Sequence, residues 1–152
     1  MEKTILGIKV PNFSGSMTNN KTFRLSDFQG KNIVLYFYPK DSTPGCTNES
    51  IQFSELAKSF EKKNCVIFGI SRDSLKSHEN FKAKYQLGFE LISDADEKIC
   101  NMFDVIKMKN MYGKQVRGIE RSTFLIDASG KVAKEWRKVN VEGHAAEVLA
   151  SL

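Results

Sequence analysis

A chain of 152 residues, 41% apolar and 27% charged, is sized and composed for one globular domain with its own core, which excludes a globally disordered chain. The formal charge of +5 comes from lysines scattered along the sequence, with no Lys/Arg run interleaved by aromatics, so no nucleic-acid module is indicated. Three cysteines are the wrong number for a secreted disulfide scaffold. No stretch of about 18 apolar residues suggests a membrane span, and Met1–Lys9 holds no signal-like stretch, so a reducing, cytoplasmic compartment is expected.

No repeat or Pro/Gly-rich linker divides the chain, so residues 1–152 read as a single domain. Asn12 to Leu25 alternates apolar and polar residues around Ser16-Met17-Thr18-Asn19-Asn20, the pattern of a short hairpin. Asn32 to Tyr38 is a continuous β-branched and aromatic run, which predicts a strand buried on both faces. It stops at Pro39. Thr43-Pro44 then opens a helix, with Thr43 at the N-cap, Pro44 at the first helical position, and Phe53, Leu56, Ala57 and Phe60 on one face.

Cys65 to Ile70 reads as a second buried strand, and Ser74 starts a helix with Leu75, His78, Phe81 and Tyr85 inward. Phe89 to Ile92 gives a short strand; Ala95, Ile99, Met102 and Phe103 give another helical face. Met108 to Gly113 reads as an exposed loop. Arg121–Asp127 and Val132–Trp136 read as strands joined by a turn at Ala128-Ser129-Gly130, and Ala145, Val148, Leu149 and Leu152 mark a closing helix. The order βαβ…ββα predicts a three-layer α/β sandwich of the thioredoxin-like kind.

Cys46 is placed in the first turn of a helix that directly follows a buried strand. Unpaired N–H groups and the positive end of the helix dipole face that turn, and both favour a thiolate over a thiol. Gly45 leaves room for a small molecule to approach the backbone. On this context alone a reactive cysteine and a merely buried one both stand. Cys65 opens a buried strand and reads as a core thiol; Cys100 lies beside the Ile99/Phe103 stripe. His78 and His144 have no Cys or His at zinc-ligand spacing, so no metal is expected.

The run Tyr36-Phe37-Tyr38-Pro39-Lys40-Asp41-Ser42-Thr43-Pro44-Gly45-Cys46-Thr47-Asn48-Glu49 resembles the active-site loop of peroxiredoxins, most closely the bacterioferritin comigratory protein (peroxiredoxin Q) branch. The likeness continues in Gly69 to Asp73, Ser77-His78, Ser93-Asp94 and Gly118 to Asp127. It implies a cofactor-free, thiol-dependent peroxidase that reduces hydrogen peroxide and organic hydroperoxides through a sulfenic acid on Cys46, in antioxidant defence. Thr43 then matches the hydroxyl that bonds thiolate and peroxide, Pro39 the shielding proline, Arg121 the arginine that completes the pocket, and Glu49 an acid that orients it. Members of this branch that resolve internally carry a second cysteine five residues on or in the following helix. Here position 51 is Ile51 and residues 74–87 hold none, so a one-cysteine cycle is expected. Its sulfenic acid is recycled by a thioredoxin-like protein, glutathione/glutaredoxin or another small thiol, with Cys100 the alternative resolving residue. A monomer or weak homodimer is implied. Competing readings are a disulfide oxidoreductase, which usually needs a Cys-x-x-Cys where this chain has Glu49, and a non-catalytic redox-sensing module.

Overall fold

The computed structural model describes residues 4–152. In chain order they form β1 (Ser14–Met17), β2 (Lys21–Arg24), β3 (Asn32–Phe37), α1 (Pro44–Glu55), α2 (Ala57–Lys62), β4 (Cys65–Ser71), α3 (Leu75–Tyr85), β5 (Glu90–Ser93), α4 (Lys98–Met102), β6 (Ile106–Met111), β7 (Lys114–Ile119), β8 (Ser122–Ile126), β9 (Val132–Trp136) and α5 (His144–Ala150). Seven strands make one sheet, ordered β2-β1-β5-β4-β3-β8-β9. Strands β3, β4 and β5 run parallel, and β8 lies antiparallel to β3.

The run of apolar residues in β3 dictates this arrangement. Ile33, Leu35 and Phe37 point to one face of the sheet, Val34 and Tyr36 to the other, and all five are buried. A strand with no polar side must be covered twice. Helices α1, α2, α3 and α5 cover the Val34/Tyr36 face through Phe53, Phe60, Phe81 and Val148. Phe103 and the N-terminal Phe13 and Phe23 cover the other. The result is the three-layer, thioredoxin-like α/β sandwich expected from the sequence.

Tyr36 anchors α1 to the sheet. Its ring stacks on Phe53 at 4.7 Å between centroids, and its hydroxyl shares a 2.8 Å hydrogen bond with Ser50 Oγ. The ring also covers Gly69, where a Cβ would come within 2.7 Å of it; this is why the neighbouring strand carries no side chain there. Burying Phe53 completely stabilises the fold by roughly 1.5–3 kcal/mol, so the helix that carries Cys46 has a fixed seat.

Several sequence expectations need correction. The helix after Thr43 does not run unbroken to Phe60: Leu56 N–H bonds to Phe53 O at 3.1 Å, a tight turn that separates α1 from α2. Leu75 is 37% exposed because it opens α3 at the surface. Ala95 is exposed as well, ahead of the start of α4. Met108 to Gly113 is no loop but the tip of a two-stranded ribbon, β6 paired with β7, turning at Tyr112 and Gly113 with φ of 54° and 78°. Much of the outer part of that ribbon faces solvent, so burial imposes no period-two pattern there for a reader to find.

Candidate active site

The site forms where β3 ends. Tyr38 N–H still bonds across to Ile70 O at 3.1 Å, but Pro39 has no N–H and ends the ladder. The chain turns through Ser42 in the left-handed region (φ 66°) and straightens at Thr43, and Pro44 begins α1. Thr47 N–H bonds to Thr43 O at 2.9 Å, the first bond of the helical ladder. The N–H groups of Gly45 and Cys46 therefore have no helical carbonyl behind them. Thr43 occupies the N-cap as expected, yet its hydroxyl does not cap: it donates to Lys40 O at 2.9 Å, closing the loop on itself.

Arg121 is 75 residues from Cys46, and strand pairing closes the gap. The register sets Phe37 opposite Ser122, so the residue before β8 falls beside the end of β3. Val139 N–H fixes Arg121 O at 3.0 Å. The guanidinium then divides its donors: Nη1 donates to Glu49 Oε1 at 2.7 Å and Nη2 to Cys46 Sγ at 3.4 Å. Glu49 follows Cys46 by three residues and so shares its helix face. Gly45 serves this approach, since a Cβ there would sit 3.2 Å from Arg121 Nη2. The room that Gly45 leaves is taken by the arginine.

Cys46 is 1% exposed and Glu49 equally buried. Burial pushes the Glu49 carboxyl up to about 7 against the pull of Arg121, and its Oε2 has no hydrogen-bond partner. Burial alone would weaken the charge on Arg121; Glu49 and Cys46 outweigh it and hold the guanidinium still more firmly protonated. A permanent cation thus lies beside a sulfur carried in the first turn of a helix, where the N–H groups are unbonded within the helix. Both stabilise negative charge on the sulfur, and on an oxygen placed next to it.

The sequence signature of the AhpC/TSA family matches residues 6–135. The chain belongs to this family of peroxiredoxins. It is 56% identical to Peroxiredoxin Bcp of Xanthomonas campestris, over 90% of this chain and 86% of that one. With Peroxiredoxin Bcp of Bacillus subtilis it shares 49%, over 97% and 94%. Among solved structures, Xanthomonas campestris Peroxiredoxin Q superposes with a TM-score of 0.88 at 54% identity, over 91% of this chain and 88% of that one. A cysteine-to-serine mutant of PrxQ from Xylella fastidiosa gives 0.94 at 43%, over 99% and 96%. The chain is therefore a thiol-dependent peroxidase of the Bcp/PrxQ branch, which sets aside the disulfide oxidoreductase and the non-catalytic sensor.

In this peroxiredoxin the structure joins Cys46, Arg121 and Glu49, with Pro39 half-buried and Thr43 in the loop leading to them. It does not bring Cys100 to Cys46. Cys100 is fully buried in the cluster on the opposite face of the sheet, and its thiol is pushed up by burial and by Asp94. Cys65 shares the face of Cys46 but begins β4, paired with Asn32, whereas the site lies past the pairing of Phe37 with Ile70. Those five steps of strand amount to about 16 Å. Burial pushes the Cys65 thiol up to about 12.

Sequence reading missed Asp41. It lies inside the resembling loop, is buried, and accepts hydrogen bonds from Tyr38 Oη at 2.6 Å and Ser77 Oγ at 2.8 Å, with His78 Nδ1 at 2.7 Å. The available signal was His78 itself: a polar ring on the apolar face of α3 has to find a partner. Asp41, Asp73 and His78 hold ligand atoms within 4.8 Å of one another. Both Asp41 oxygens and both ring nitrogens are, however, already engaged in hydrogen bonds. Among the described residues no helix is long and apolar enough to cross a membrane.

Proposed function

We propose that Cys46 is the peroxidatic nucleophile of a one-cysteine cycle. The Cys46 thiolate attacks the terminal oxygen of a hydroperoxide, forming an S–O bond as the O–O bond breaks. The leaving oxygen departs as hydroxide or alkoxide and takes up a proton to give water or an alcohol, and the sulfur becomes a sulfenic acid. An external thiol condenses with that acid, releasing water. A second thiol then displaces the mixed disulfide and restores Cys46. The observation that carries this reading is Arg121 Nη2 at 3.4 Å from Cys46 Sγ, at the start of α1.

The residues divide the work. Arg121 and the Cys46 N–H stabilise the charge that grows on the leaving oxygen. Thr43, whose hydroxyl proton is held by Lys40 O, accepts from the peroxide through its Oγ lone pairs, Pro39 screens the sulfur from solvent, and Glu49 orients the guanidinium. Hydrogen peroxide and organic hydroperoxides are both substrates. Alkyl peroxide reduction by the bacterioferritin comigratory protein of Xanthomonas campestris supports the second class. The one-cysteine cycle is supported by the position of Cys65 at the far end of β4 and of Cys100 across the sheet. The reductant is accordingly external, a thioredoxin-like protein or a small thiol such as glutathione. We place the enzyme in cytoplasmic antioxidant defence, as a single domain that is monomeric or weakly dimeric.

Intact-mass measurement after one equivalent of peroxide tests the cycle. Gain of one oxygen in wild type and no change in Cys46→Ser is the expected result. Loss of two hydrogens would show an internal disulfide and overturn the one-cysteine scheme. Continued peroxide consumption by Cys46→Ser would overturn the assignment of the nucleophile.

A further inference from the structure

The hydrogen bonds below the active-site loop lead to a residue outside the chemistry just described. His78 is completely buried in α3. Its Nε2 lies 3.0 Å from Ile92 O, a carbonyl that can only accept. Its Nδ1 lies 2.7 Å from Asp41 Oδ2, which also accepts from Ser77 Oγ at 2.8 Å. Each ring nitrogen thus faces an acceptor, and each bond requires a proton on the ring.

Asp41 in turn holds the loop at two places. Its carboxylate is tied to Tyr38, Ser77 and His78. Its own N–H donates to Asp73 Oδ2 at 2.8 Å, an oxygen that also accepts from Ser71 Oγ at 2.6 Å. Asp41 stands midway between Pro39 and Thr43, and the residue after it is in the left-handed region (Ser42, φ 66°). A loop of this shape needs outside anchors to keep its conformation.

We propose that His78, protonated at both ring nitrogens, is a positioning residue of the peroxidase reaction: through Asp41 it fixes the loop that sets Pro39 and Thr43 about Cys46. It touches neither sulfur nor substrate. Its effect is on alignment, where a displacement of about 1 Å can cost about 100-fold in rate. The inference rests on the peroxidase reading above.

Two reactions of the same sulfur separate positioning from general damage. Peroxide attack needs the aligned loop, whereas alkylation by iodoacetamide needs the thiolate and access to it. In His78→Asn the stopped-flow rate constant with hydrogen peroxide should fall about 100-fold, while alkylation at equal pH should speed up as the loop loosens over a sulfur now 1% exposed. Ser77→Ala removes one of the bonds to Asp41 and should show the same split to a lesser degree. It decides the matter if His78→Asn does not fold. A folded variant whose peroxide rate stays within about twofold of wild type overturns the inference, as does a parallel fall of both rates. Nitrogen-15 spectra of wild type should show two protonated nitrogens on His78; a singly protonated ring overturns the charged form of the anchor. If wild type itself ignores peroxide, it is the peroxidase reading that fails.

Discussion

Two buried carboxylates flank the Cys46 turn, and their surroundings differ. Asp41, below the loop, has both oxygens engaged by Tyr38, Ser77 and His78. Glu49, inside the site, has one oxygen on Arg121 and one without a partner. Burial works to raise both carboxyls. At Asp41 the hydrogen bond and the positive charge of His78, with the hydrogen bonds from Tyr38 and Ser77, outweigh it and hold the group below the ordinary carboxylate value. At Glu49 burial prevails over Arg121, and the carboxyl rises to about 7. Asp41 meets a charged ring and three donors, whereas the more deeply buried Glu49 meets one guanidinium, and the balance with burial falls on opposite sides. The scaffold side is fully satisfied, and the reactive side keeps an unmet demand beside the sulfur.

Removing the cation common to Glu49 and Cys46 should break this contrast most severely. Arg121→Ala leaves a buried carboxylate alone and strips the sulfur of its positive neighbour. We expect a loss of about 10²–10³ in the peroxide rate constant, measured by stopped flow. Arg121→Lys should recover only part of it, because an ammonium cannot hold Glu49 and Cys46 with one planar fork.

Asp41→Asn attacks the satisfied side. An amide presents two donors of its own to groups that are donors already, so unfolding in urea should show a loss of about 3 kcal/mol at pH 7. A carboxyl with a depressed folded value contributes stability above its unfolded value of about 3.9, and that contribution disappears as pH falls through the folded value. The gap between wild type and Asp41→Asn should therefore close on acidification below pH of about 4.

Glu49→Gln tests the opposite sign. A raised carboxyl contributes stability below its unfolded value, and that contribution is lost as pH rises through about 7. Wild type should accordingly lose stability relative to Glu49→Gln, on the order of 3 kcal/mol, between about pH 4.3 and the raised value, with no further divergence above it. A constant difference across that range would refute the assigned shift. The smallest effect is expected of Gly45→Ala. Its new methyl would meet Arg121 Nη2 at 3.2 Å, and a shift of a few tenths of an ångström should slow peroxide attack about threefold, with unfolding nearly unchanged.

The strand at 32–37, the helix start at Thr43-Pro44, the hairpin through Ala128 to Gly130 and the closing helix were legible because each is written in local residues. Apolar runs, a proline at the first helical position and turn residues act over one or two helical turns. The place of Cys46 in the first turn of a helix was legible for the same reason. The likeness to peroxiredoxins supplied Arg121, which no local pattern distinguishes from a surface strand residue. The β6–β7 ribbon was misread as a loop because strands exposed along much of their length carry no burial signal.

By itself, then, the sequence determined the layers, the turn that presents the sulfur, and the absence of a cysteine at position 51 and across residues 74–87. The tertiary structure alone decided who meets whom across the sheet. The register of Phe37 on Ser122 delivers Arg121 to Cys46, the packing of α3 against β5 delivers His78 to Asp41, and the thickness of the sheet keeps Cys100 away. The reason is one of range. Backbone preference and side-chain periodicity extend over a few residues, whereas these pairings join positions 75 and 37 residues apart, and only the folded core fixes them.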